Sequence, residues 1–208
     1  MKRFILSLCV VFSFNLSADL VSDGVDAYKN NNYQQARVLW TQSCDSGDMN
    51  GCYNLANIYA KGRGVRHDYK KAMKLYNKSC EAGDMEACSN LGTIYENGVG
   101  IKADYYKSSR LYAKSCNNGN VKGCFNLGVA YYRGRGVYRD YKIASEIFAD
   151  VCDKGRGIGC YSLAKMYEKG KGLPENKSKA KALYGKICDW GSSEGCRKYR
   201  RLAEEGIK

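Results

Sequence analysis

Ten of the eleven cysteines in this 208-residue chain fall into two series that share one period. Cys44, Cys80, Cys116, Cys152 and Cys188 stand 36 residues apart, and Cys52, Cys88, Cys124, Cys160 and Cys196 each follow their partner by eight. Other rows keep the register. Leu39, Leu75, Leu111, Ile147 and Leu183 form one, and Trp40, Tyr76, Tyr112, Phe148 and Tyr184 the next. Gly47, Gly83, Gly119, Gly155 and Gly191 form a third, and Leu55, Leu91, Leu127 and Leu163 recur with Tyr59, Tyr95, Tyr131 and Tyr167. A fixed period of this kind marks a repeat architecture, whose units bury their apolar faces only against neighbours.

Each unit reads as two helices. Asn32, Asp68, Asp104, Asp140 and Asn176 open the first, because their side chains can accept from free N–H groups of the first turn. Ala36, Leu39, Trp40 and Ser43 then follow helical spacing. The Gly47 row closes this helix, since glycine enters the left-handed conformation without a Cβ clash. The second helix is expected over about Asn50 to Ala60, with Cys52, Leu55, Ala56 and Tyr59 on one face. Ala56, Gly92, Gly128 and Ala164 are small where two helices must approach. Lys61-Gly62-Arg63-Gly64-Val65 turns the chain into the next unit. Five such hairpins predict an all-α, right-handed α/α solenoid.

The hairpin geometry also predicts the pairing of the cysteines. Cys44 ends one helix and Cys52 begins its antiparallel partner, so the bonds expected are 44–52, 80–88, 116–124, 152–160 and 188–196. A closed loop of about nine residues stabilises the fold by roughly 2.6 kcal/mol per bond in the chain-entropy treatment. Structural zinc sites use shorter spacings, so neither a metal nor a cofactor is expected.

The N-terminus has the layout of a secretory signal peptide. Lys2 and Arg3 precede an apolar stretch, Phe4 to Phe14, and cleavage is placed after Ala18. Cys9 leaves with that segment, and the bulky Leu8 before it does not suit a lipid anchor. An even number of cysteines in an exported chain fits disulfides. The organisation expected is therefore a signal peptide (1–18), an N-terminal capping helix (19–31) and five repeats (32–67, 68–103, 104–139, 140–175 and 176–208). Tyr199, Arg200 and Ala203 break the rows in the last helix, as a water-facing end requires. The location expected is secreted or periplasmic.

Composition narrows the function. Apolar residues make up 44%, too many for a disordered chain. A single histidine excludes a His-rich metal site, and His67 reads as a surface residue. No apolar run is long enough for a membrane span. The net charge is +13, and loss of Lys2 and Arg3 with residues 1–18 leaves +11, dispersed over all units with no nucleic-acid motif, so attraction to anionic envelope surfaces is the better use of it.

The unit Leu91-Gly92-Thr93-Ile94-Tyr95, continued by Gly98, Gly100, Ile101 and Asp104, resembles the Sel1-like repeat, a relative of the tetratricopeptide repeat. With a cysteine pair in every unit and an export signal, the chain closely resembles the Helicobacter cysteine-rich protein family over residues 32–208. That resemblance implies secreted or periplasmic penicillin-binding proteins with slow β-lactamase activity. Repeat proteins of this architecture otherwise bind peptides and proteins.

Two function classes follow. For an enzyme, a serine β-lactamase needs S-x-x-K with further motifs. Ser162-Leu163-Ala164-Lys165 and Ser178-Lys179-Ala180-Lys181 match the first element, no more often than composition alone gives. Ser162 replaces the asparagine of the row Asn54, Asn90, Asn126, and Lys165 is its helical neighbour. No K-T-G or oxyanion hole accompanies them. For a binding module, the asparagine row could bond an extended peptide backbone. The basic rows, with Lys78 and Lys114 in one and Lys70 and Lys142 in another, suit an acidic peptide, a free carboxylate or a cell-wall fragment. The reading preferred is a monomeric binding scaffold for a peptide, a protein or a peptidoglycan fragment, with penicillin binding and slow β-lactam hydrolysis as the alternative.

Overall fold

The computed structural model describes residues 19–208. The expected signal segment, 1–18, lies outside the described residues, and Cys9 with it. Two compact units divide at Ala103 and Asp104. The first holds α1 (19–29), α2 (Tyr33–Asp45), α3 (Met49–Lys61), α4 (Tyr69–Glu81) and α5 (Met85–Asn97). The second holds α6 (Tyr105–Asn117), α7 (Val121–Arg133), α8 (Tyr141–Asp153), α9 (Gly157–Lys169), α10 (Lys177–Asp189) and α11 (Ser193–Glu204). Within each unit the helices from α2 onward pack in chain order, each against the next. Among the described residues every regular element is helical.

The helix boundaries follow from side-chain chemistry. Asn32, Asp68, Asp104, Asp140 and Asn176 each accept from the backbone N–H three residues on, which starts α2, α4, α6, α8 and α10. The glycine after each of these helices has a positive φ, 95° at Gly47 and 86° at Gly191. There the Gly47 N–H bonds the Cys44 carbonyl and the Asp48 N–H bonds that of Ser43, the paired closure of a Schellman motif. The same pair recurs in every repeat. The residue that completes the closure also caps the next helix: Asp48, Asp84, Asn120 and Ser192 accept from its first turn. That shared residue starts α3 at Met49, one position before the Asn50 expected, because Asp48 already serves as its cap.

This three-residue turn brings each cysteine pair together. The five disulfides join Cys44–Cys52, Cys80–Cys88, Cys116–Cys124, Cys152–Cys160 and Cys188–Cys196, with Cα separations of 4.3–4.7 Å. Such separations lie at the short end of the disulfide range, and the residue before the second cysteine explains how they arise. It is Gly51, Ala87, Gly123, Gly159 or Gly195. A Cβ on Gly159 would stand 2.7 Å from the Cys152 nitrogen.

The aromatic row supplies the core. Trp40, Tyr76, Tyr112, Phe148 and Tyr184 are all buried, as are Leu55, Leu91, Leu127 and Leu163. Gly128 lets α7 approach α8 closely enough that a Cβ there would sit 2.7 Å from Phe148. At the start of the first unit, α1 lies against Trp40, whose Nε1 donates to the Val21 carbonyl at 3.2 Å. At the end of the second, α11 buries Leu202 fully. Its Arg201 donates to Glu168 at 2.6 Å, and Glu168 also accepts from the Tyr184 hydroxyl at 2.9 Å. Burial opposes ionisation of Glu168, yet the bonds from Arg201 and Tyr184 outweigh it and hold the carboxyl below its ordinary 4.5. Burial and the same carboxylate push the Tyr184 hydroxyl far above its usual range.

Two outcomes test this account. Gly159→Ala overpacks the turn at the Cys152–Cys160 bond and lowers stability in thermal unfolding by about 1–3 kcal/mol. The Glu168 carboxyl titrates lower when folded than when unfolded. Its stabilisation is therefore complete above pH 4.5 and is lost as the pH falls through the lower folded value. Urea unfolding of Glu168→Gln beside the parent should show a clear deficit at neutral pH that shrinks on acidification.

Candidate functional site

In the second unit, α7 and α9 stand either side of α8 and leave a pocket of about 220 Å³. Phe125, Val129, Tyr132 and Arg133 line it from α7, at helical spacings that share one face. Ser162, Lys165 and Met166 line it from α9, and the buried Phe148 of α8 forms its floor. Phe125 leans on Phe148 with ring centroids 5.6 Å apart. Tyr132 meets Tyr141 edge-on at 5.1 Å, and the Lys171 ammonium lies over both rings at 5.5 Å.

Arg133 and Lys165 are exposed at the rim, and Ser162 is half-buried. Among the described residues neither cation forms an ion pair. The Lys165 ammonium lies over the Tyr161 ring at 5.6 Å, and no hydrogen bond joins it to Ser162. The two residues therefore share a pocket wall, as their spacing predicts, while the lysine is turned to an aromatic face. Chemically, the pocket offers an apolar floor, the Ser162 hydroxyl, the Tyr132 phenol and two cations, a set that suits a carboxylate carried beside an apolar or ring-shaped group.

The other sequence candidates lie on several surfaces. Asn54, Asn90 and Asn126 are half-buried on α3, α5 and α7. Asn90 is within bonding reach of the Tyr53 and Tyr76 hydroxyls. Tyr76 itself donates to Asn57 at 2.7 Å. Burial pushes both phenols above their usual value, so they stay neutral donors. Lys78 donates to the Cys44 carbonyl at 3.2 Å, where a cation complements the end of α2. Lys114 is its counterpart on α6 and is exposed. Lys70 lies along a groove of about 440 Å³ with Met73, Leu91 and Tyr95. Lys142 is exposed in the first turn of α8. His67 is exposed, with Nδ1 2.9 Å from the Ala60 carbonyl. Among the described residues no cluster of three or more metal-ligating side chains occurs, and no helix is long and apolar enough to cross a membrane.

Sequence reasoning passed over Phe125, Tyr132 and Arg133. Their signal was present as an aromatic and basic stripe along α7, but only the packing of α7, α8 and α9 shows that it faces Ser162 and Lys165.

Comparison with known proteins agrees with this architecture. HcpC of Helicobacter pylori (strain ATCC 700392 / 26695), which carries a provisional beta-lactamase name, is 37% identical over 47 residues; the match covers 23% of this chain and 16% of HcpC. A protective antigen present in uropathogenic Escherichia coli strains, displaying an SLR fold, superposes with a TM-score of 0.83 at 26% identity; 92% of this chain is covered and 42% of that one. A Sel1 repeat protein from Oxalobacter formigenes superposes with a TM-score of 0.79 at 23% identity, over 88% of this chain and 74% of that one. This chain thus spans less than half the length of the first two relatives. The Sel1 repeat model matches residues 14–48, 50–84, 86–120, 121–146 and 157–191, and with most of its length so matched the chain belongs to the Sel1 repeat family.

Proposed function

We infer that this chain is an exported, monomeric binding module that holds a carboxylate-bearing segment of an extended peptide, a protein or a cell-wall fragment. The observation that carries the reading is the pocket between α7 and α9, where Arg133 and Lys165 stand over a floor of Phe125, Tyr132 and Phe148. Repeat proteins present such faces on an extended stack, and the net charge left after loss of Lys2 and Arg3 with residues 1–18, +11, draws anionic partners toward them. Five disulfides suit an oxidising compartment outside the cytoplasm.

One observation favours a second reading. Ser162 and Lys165 share that pocket with Arg133, so a β-lactam whose carboxylate met the cations would lie beside a serine hydroxyl. The beta-lactamase name of HcpC points the same way. Against an efficient enzyme stands the Lys165 ammonium, which lies over Tyr161 and so is not placed to take the serine proton.

Titration with a synthetic peptide of alternating Glu and Phe tests the binding reading. Binding should weaken as salt rises, and Arg133→Glu with Lys165→Glu should lower affinity by about tenfold, the size expected for reversing two rim charges. Unchanged affinity would remove this pocket from the function. Turnover of a chromogenic cephalosporin that disappears in Ser162→Ala would instead establish the hydrolytic reading.

A further inference from the structure

The fourth repeat departs from its fellows at one turn. In the other first-to-second helix turns, the cap and first helical residue are Asp48-Met49, Asp84-Met85, Asn120-Val121 and Ser192-Ser193. The fourth reads Arg156-Gly157, and Arg156 makes no side-chain cap to α9. The family match ends at 146 and resumes at 157, so Arg156 falls in a gap that also takes in the end of α8. Both the acceptor that caps the helix and the aliphatic side chain that follows it are gone here.

What these two residues leave is a cavity. A pocket of about 550 Å³ opens around Gly157, lined by Ile158, Tyr161, Ile187, Trp190 and Glu194. A Cβ on Gly157 would rest 3.6 Å from Ile187 and 3.9 Å from Trp190, in ordinary contact, so the missing side chain would have pointed along this wall. In the first repeat Met49 packs onto the core from the corresponding position. The rim is apolar and open: Ile158 is 54% and Trp190 49% exposed. Trp190 stands where the other four repeats have Ser46, Ala82, Asn118 and Lys154. Glu194 is already engaged, by Arg197 and by the Tyr161 hydroxyl. Two cations border the pocket: Arg156, exposed and next in sequence to Gly157, and Lys186, whose ammonium lies over Trp190 at 5.2 Å.

We propose that this pocket is an anchor site for a partner protein, taking an acidic residue followed by an aliphatic one from an exposed segment. The partner supplies what the repeat lacks. Its aliphatic side chain fills the space vacated at Gly157 and stacks on Trp190, while its carboxylate meets Arg156. The first two repeats indicate the chemistry of the occupant, since their own Asp48-Met49 and Asp84-Met85 stand at the equivalent positions. The proposal rests on reading the chain as a binding module, but not on the pocket at Arg133.

Trp190 provides the readout, because Trp40 is buried and Trp190 is exposed. The probe is the blocked pentapeptide Gly-Asp-Met-Glu-Ala, which copies residues 83–87. Added to the oxidised protein, it should shift Trp190 emission to shorter wavelength along a saturable curve. Replacing its Met by Ser should weaken binding about tenfold, the share of one buried aliphatic side chain. The double variant Arg156→Asp, Gly157→Met restores the pattern of the first two repeats. It should melt at a higher temperature than the parent and show no peptide response, whereas Arg133→Glu should respond as the parent does. An absent or unsaturable shift, or an undiminished shift in the double variant, overturns the site. If acidic-peptide binding at Arg133 persists in that case, only the anchor site is lost; if it fails as well, the binding-module reading falls with it. Dimerisation without peptide, seen in sedimentation and abolished by the double variant, overturns the partner assignment in favour of a second copy of the chain.

Discussion

The close approach of two helix ends at each disulfide is the constraint on which the remaining structure depends. A Cα separation near 4.5 Å leaves room for no more than a methyl group on the residue before the second cysteine, hence Gly51, Gly123, Gly159 and Gly195, with Ala87 where the separation is longest at 4.7 Å. It also requires the chain to reverse within three residues, which the Schellman closure and shared cap accomplish. Glycine at positive φ, the cap, the small residue and the cysteine pair therefore act as one device. Each repeat carries its own copy, so each hairpin is fixed by contacts within itself as well as by its packing on a neighbour.

With the hairpin fixed in this way, the aromatic row is free to do the packing between hairpins. Trp40, Tyr76, Phe148 and Tyr184 sit at the same place in their repeats, but their partners differ. Tyr76 bonds Asn57, Phe148 leans on Phe125, and Tyr184 bonds Glu168. The buried layer is uniform in position and varied in polarity. Where the neighbouring ring is phenylalanine rather than tyrosine, the surface above it becomes an apolar pocket, and there Arg133, Ser162 and Lys165 meet. In a repeat protein the common positions maintain the stack, so individuality is confined to departures such as Phe125, Arg156, Gly157 and Trp190.

Much of the fold was legible because it is local. Asn32, Asp68, Asp104, Asp140 and Asn176 act within three residues of themselves, and the Gly47 row acts on the turn that contains it. Cysteines eight positions apart across a tight turn have little choice of partner. The candidate site was less legible. Lys78 belongs to a row that suggested a ligand surface, yet its ammonium bonds the Cys44 carbonyl of the preceding repeat. Lys70 and Asn90 share a repeat but not a contact surface, since one flanks Leu91 and Tyr95 and the other reaches Tyr53 and Tyr76. A periodic row marks equivalent positions without saying what lies across from them.

The amino-acid sequence by itself determined the repeat length, both helices of each unit, their ends and the cysteine pairing, because each depends on residues a few positions apart. Tertiary structure alone decided which side chains from successive helices converge. Ser162 and Lys165 gained Arg133, Phe125 and Tyr132 as pocket neighbours, and Gly157 gained Ile187 and Trp190 as the walls of a cavity. The physical reason is range. Caps, turns and disulfide loops are set by backbone conformation over less than ten residues, whereas a pocket is set by how helices some thirty residues apart pack side by side.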